Sequence, residues 1–79
     1  MTQVRYFAAA AEAAGTQAEV IEAHTLGELR ARMIAAHGPD LERVLTRCAL
    51  LVDGRRVDDP QVTLAGTDVV DVLPPFAGG

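Results

Sequence analysis

The chain contains no lysine, no serine and no tryptophan, and it has a single cysteine, Cys48. Without serine, nucleophilic catalysis of the Ser-His-Asp kind is excluded. One cysteine cannot form an intrachain disulfide, so a reducing, cytoplasmic setting is expected. Cys48 could form a Cys–His pair only with His24 or His37. It opens an apolar run, however, and reads as an ordinary buried thiol. One Cys and two His, far apart in sequence, make no zinc signature, and no metal is expected. No glycine-rich phosphate loop is present, because Gly54 and Gly66 serve turns. No apolar run approaches the ~20 residues of a membrane helix. Arg5 followed by the apolar Tyr6 to Ala11 resembles the start of a signal peptide. Glu12 interrupts that run, and cleavage would delete the best first strand, so no leader is expected.

What is present suits one small domain. At 79 residues the chain is near the lower limit for unaided folding, where roughly 60% of the unfolded surface becomes buried. A hydrophobic share of 49% is enough for one core and too high for a disordered chain. The formal net charge of −4 argues against nucleic acid or an anionic membrane as partner, since both require a basic face. By charge, a partner with a basic docking surface suits it.

The pattern along the chain predicts strands at Gln3 to Phe7 and Gln17 to Ala23, with a short alanine-rich helical turn at Ala8 to Ala14 between them. Thr25 with Glu28 three residues later predicts a capping box opening the main helix. Leu26, Leu29, Met33 and Ala36 follow on one face of it. Gly38 and Pro39 stop that helix. Asp40 to Thr46 suits a further short helix, with Leu41, Val44 and Leu45 turned inward. Cys48 to Val52 and Arg55 to Val57 read as strands joined by an Asp53-Gly54 hairpin, whose turn positions both need positive φ. Asp58-Asp59-Pro60 leaves the sheet, Leu64 to Thr67 turns, and Val69 to Leu73 is the last strand. Pro74-Pro75 ends it because neither residue can donate to a ladder. One amphipathic helix over a mixed sheet is an α+β roll. The natural candidate is the β-grasp (ubiquitin-like) arrangement, with first and last strands paired at the centre.

Little inside this fold suggests chemistry. His24 and His37 flank the main helix and read as solvated, and His37 suits the helix dipole. Asp58-Asp59 reads as a solvated turn. Arg55-Arg56 is a pair rather than a patch; Arg56 reads as exposed, with docking of an acidic partner group as the alternative. Asp71 shares a strand face with Val69 and Leu73, so that face is expected to be open to solvent. Attention therefore moves to residues 74–79, Pro74-Pro75-Phe76-Ala77-Gly78-Gly79, beyond a domain spanning 1–73. Pro-Pro favours an extended polyproline arm, and six extended residues reach about 20 Å. Phe76 is a large apolar group on that arm. Gly78 and Gly79 have no side chains, so their backbone fits a channel too narrow for any Cβ. The terminal carboxylate of Gly79 is then the group that enters a partner's active site.

The tail Leu73-Pro74-Pro75-Phe76-Ala77-Gly78-Gly79 resembles that of the MoaD type, the small subunit of molybdopterin synthase, within the MoaD/ThiS ubiquitin-like sulfur carriers. Val4-Arg5-Tyr6-Phe7, Thr25-Leu26-Gly27-Glu28-Leu29, the Asp53-Gly54 hairpin and Gly66-Thr67-Asp68-Val69-Val70 extend the likeness over nearly the whole chain. The resemblance implies that Gly79 is adenylated by an E1-like enzyme using ATP, with no cofactor bound to the chain itself. A sulfur-donating persulfide protein would turn Gly79 into a thiocarboxylate. The large synthase subunit, which would hold the catalytic residues, would use that sulfur to build molybdopterin. Gly78 and Gly79 match the family's Gly-Gly motif. Phe76 falls at its apolar tail position, and Leu73, Pro74, Pro75 and Ala77 complete the expected partner-binding segment. Asp53 stands where many relatives have Asn, and serves the turn equally well. Other readings are a carrier for thiamine or cysteine biosynthesis, a ubiquitin-like modifier joined to lysines of targets, and a binding module with an inert tail. Lacking lysine, this chain cannot build lysine-linked chains of itself.

Overall fold

The structure is a computed structural model that describes residues 1–67 and 69–75. Eight elements follow in order: β1 (Thr2–Tyr6), α1 (Ala9–Ala14), β2 (Ala18–Ile21), α2 (Leu26–His37), α3 (Pro39–Leu45), β3 (Ala49–Val52), β4 (Arg55–Arg56) and β5 (Val69–Leu73). The strands form one sheet in the order β2-β1-β5-β3-β4. β1 and β5 run parallel at its centre, with Val4 opposite Val70 and Tyr6 opposite Val72. All other strand pairs are antiparallel. This is the α+β roll of the β-grasp type expected from the pattern.

Alternation in β1 and β5 decides which face is buried. Val4, Tyr6, Val70 and Val72 point under the helices and join Leu29, Met33 and Leu41 in one core. α1 packs against α3, where Ala10 and Ala14 allow close approach to Leu41 and Leu45. Thr25 caps α2 by accepting the Glu28 N–H at 3.1 Å. Glu28 reciprocates one residue early, accepting from the His24 N–H at 3.4 Å. Leu26, Leu29 and Met33 are buried as expected, but Ala36 is exposed. The next element, α3, starts at Pro39, so the chain turns away before the last turn of α2 can be covered on that side.

The local punctuation behaves as read. Asp53 and Gly54 take φ of 48° and 85°, the two positive values that the tight hairpin requires. The Asp53 backbone N–H donates to Val69 O at 2.9 Å, and its carboxylate accepts the Val69 N–H at 3.0 Å. The hairpin thereby clamps the start of β5. Gly38 ends α2 with its N–H on Ile34 O, and Pro39 occupies the first turn of α3, where a missing N–H costs nothing.

Candidate functional site at the end of the central strand

β5 lies between β1 and β3, so its backbone is bonded on both sides up to its end. Leu73 pairs with Ala49, and the Phe7 N–H donates to Val72 O at 3.2 Å. Pro74 follows buried and Pro75 exposed. The strand ends where two successive N–H donors are missing. Of the expected site residues, Leu73, Pro74 and Pro75 are thus brought together at one rigid corner. Phe76, Ala77, Gly78 and Gly79 lie outside the described residues.

Two surfaces meet at this corner. The first is the sheet face turned away from the helices. Register places Ala18, Arg5, Asp71, Leu51 and Arg56 in one row across all five strands. Val20 and Phe7 on this side are 60% and 37% exposed, and Leu51, Val69 and Leu73 are half-buried. Asp71 departs from the expected solvent-open position. Its side chain is only 12% exposed, because the Arg5 guanidinium lies along it with Nε–Oδ1 at 2.5 Å and Nη2–Oδ2 at 2.9 Å. The bidentate fork lets a carboxylate sit in the central strand of an apolar surface. Arg5 also extends over the Phe7 ring, 5.9 Å from its centroid.

The second surface is an open groove of about 760 Å³ on the helix side of the tail root. Arg30 from α2, Arg43, Val44 and Glu42 from α3, Arg47 beyond it, and Pro74 line this groove. Sequence reading missed it. The spacing of Arg43 and Arg47 hints at a shared side, but only tertiary packing brings Arg30 beside them.

The remaining candidates are structural. Cys48 donates its S–H to Val44 O at 3.2 Å, and burial pushes its thiol up, away from the reactive thiolate. His37 corrects the expectation of a solvated side chain. It is 16% exposed, contacts the Glu19 carboxylate and packs edge-on against Tyr6 with centroids 5.8 Å apart. The Tyr6 hydroxyl donates to the same Glu19 carboxylate at 2.6 Å. Burial pushes the Glu19 carboxyl up, but hydrogen bonds from Tyr6 and His37 outweigh this and hold it below the usual range. Burial first, and the bond to Glu19 second, raise the Tyr6 phenol. Asp58 and Asp59 are exposed, Asp59 accepting from the Gln61 N–H at 2.9 Å. Among the described residues, no three His, Cys, Asp or Glu side chains gather as a metal site. No described helix is long and apolar enough to cross a membrane.

Residues 4–79 match the profile of the ThiS family. No curated protein matches the chain. Similar solved structures include SAMP1 from Haloferax volcanii, 27% identical with a TM-score of 0.80, the match covering 99% of this chain and 98% of that one. The complex of subunits 1 and 2 of molybdopterin-converting factor from Helicobacter pylori 26695 contains a chain 31% identical, with a TM-score of 0.73 and coverage of 99% and 97%. A putative molybdopterin converting factor subunit 1 from Pyrococcus furiosus is 25% identical, with a TM-score of 0.76 and coverage of 95% and 97%.

Proposed function

Because the chain belongs to the ThiS family of ubiquitin-like β-grasp sulfur carriers, we propose that Gly79 is its working group and carries sulfur for molybdopterin synthesis. The carboxylate of Gly79 attacks the α-phosphate of ATP in an E1-like enzyme, and pyrophosphate leaves. A persulfide sulfur then displaces AMP, and a second thiol cleaves the resulting acyl disulfide to leave a thiocarboxylate. The large synthase subunit accepts that sulfur, so the catalytic residues belong to the partner.

The observation that carries this reading is the anchoring of β5. A strand bonded on both sides and clamped at Asp53 holds the tail root at a fixed place against which a partner can dock. The half-open sheet face offers a partner an apolar surface, with Phe7, Leu51 and Leu73 nearest that root and Val20 at the far end of the sheet. The 31% identity to the molybdopterin-converting factor complex favours the molybdopterin pathway over the thiamine or cysteine ones. The likeness to SAMP1, a small archaeal modifier protein, supports a second reading, in which Gly79 is joined to target lysines.

Intact mass after incubation with ATP, the adenylating enzyme and a sulfur donor separates these readings. One oxygen-to-sulfur exchange is expected. Stable adducts on lysine would favour the modifier, and an unchanged mass would refute both. Deleting Gly79 abolishes the exchange while leaving the unfolding transition in place; retained exchange would refute the assignment of Gly79.

A further inference from the structure

The chain's net charge of −4 hides a local excess of the opposite sign. All seven of its cationic side chains are arginines. Among the described residues Arg5, Arg32, Arg43 and Arg56 each meet an acid. Arg30, Arg47 and Arg55 do not, and two of those three line the groove at the tail root. Arg43, the third groove arginine, pairs with Asp40 through side chains that are both 72% exposed. A pair that open contributes little and is easily exchanged for another carboxylate. Glu42 supplies the one carboxylate in the groove wall, against three guanidinium groups. Val44 and Pro74 add apolar surface to the same wall.

We propose that this groove docks an acidic segment, a run of Asp or Glu side chains on the enzyme that activates the tail. The proposal rests on the reading of Gly79 as the group activated. Guanidinium forks match carboxylates bidentately, and arginine is the cation suited to such partly desolvated pairing. Position supplies the second argument. The groove wall includes Pro74, so an enzyme that takes the tail must bring its surface against these arginines. Such a surface offers its own acidic side chains to the groove, and inorganic phosphate is the competing ligand in the test below. The docking is bipartite, with the apolar sheet face on one side of the tail and the arginine groove on the other. Net charge alone points to a basic partner, whereas the tail root selects an acidic one.

Two measurements test this. The isotopically labelled full chain is titrated at low salt with an N-acetylated hexaglutamate amide, and separately with inorganic phosphate at equal charge. Saturable shifts are expected at the amides of Val44, Thr46 and Arg47 with the peptide. They weaken roughly three- to tenfold in R30Q/R47Q, the loss expected for two exposed pairs. No saturable shift, shifts unaffected by R30Q/R47Q, or equal shifts with phosphate would overturn the proposal. The adenylating enzyme is then assayed with each chain. R30Q/R47Q is expected to raise KM three- to tenfold with kcat held. An unchanged KM would overturn the groove and leave the function standing. A wild-type chain that is not activated at all would sink the proposed function instead, and the peptide titration would still decide the groove.

Discussion

Replacing Tyr6 with Phe tests whether the buried polar cluster beside β1 stabilises the fold. The ring is 3% exposed and Phe preserves its packing, so the change removes only the hydroxyl that donates to Glu19 at 2.6 Å. A hydrogen bond to a charged group contributes about 1.5–3 kcal/mol. The Glu19 side chain is 26% exposed and keeps His37, so water recovers part of the loss. The net cost is then about 1–2 kcal/mol. A chain of this length is stable by about 4–12 kcal/mol in total, so the loss is readily measured. Urea unfolding should show a lower midpoint with an unchanged slope, and Tm should fall by roughly 5–15 °C. The alkaline limb provides an independent check. The folded phenol is raised above its unfolded value near 10. Its contribution is therefore intact below about pH 10 and lost as pH climbs toward the raised value, because the unfolded chain releases that proton first. Tyr6 is the chain's one tyrosine, so the gap between wild type and Tyr6→Phe should narrow above about pH 10. A loss below about 0.5 kcal/mol, less than a typical intramolecular hydrogen bond, or a gap that does not narrow, would refute the reasoning.

Three further outcomes follow from other parts of the molecule. Ala8 holds φ 51° and ψ −125° before α1, a conformation that costs an L-residue about 1–3 kcal/mol. Ala8→Gly should therefore raise Tm despite glycine's entropy, and a lowered Tm would show that the site is unstrained. Leu29 is fully buried where α2 meets the core, so Leu29→Ala should cost about 2–5 kcal/mol in denaturant unfolding. A smaller loss would mean that the core collapses around the gap. Phe76→Ala should weaken binding to the large subunit by about 2 kcal/mol in calorimetry, with the unfolding midpoint unchanged, and unaltered affinity would remove Phe76 from the interface.

The elements legible in the sequence are those whose cause is local. Thr25, Gly38-Pro39 and Asp53-Gly54 act within a few residues through caps, breakers and positive φ, and each appears where the pattern placed it. The strand ends shifted by a residue or two. β2, read as Gln17 to Ala23, narrows to Ala18–Ile21, in register with Thr2 to Arg5 of β1, while Gln17 still accepts the Tyr6 N–H at 2.9 Å just outside the strand. The tail's composition was equally readable, since what two prolines and two terminal glycines permit is a property of those residues alone.

Three features needed the folded chain. Asp71 looked like a solvent-facing oddity until parallel pairing set it opposite Arg5, 66 positions away. His37 looked like a helix-end cation until β2 placed Glu19, and β1 placed Tyr6, against it. The arginine groove takes Arg30 from one helix and Arg43 from the next, with Pro74 from the far end of the chain. Sequence by itself determined the chemistry the terminus can perform and the elements that build the domain, because both depend on residue type and near neighbours. Tertiary structure alone decided which charges meet and what surrounds the root of the tail, because those contacts join residues that only sheet register and helix packing bring together.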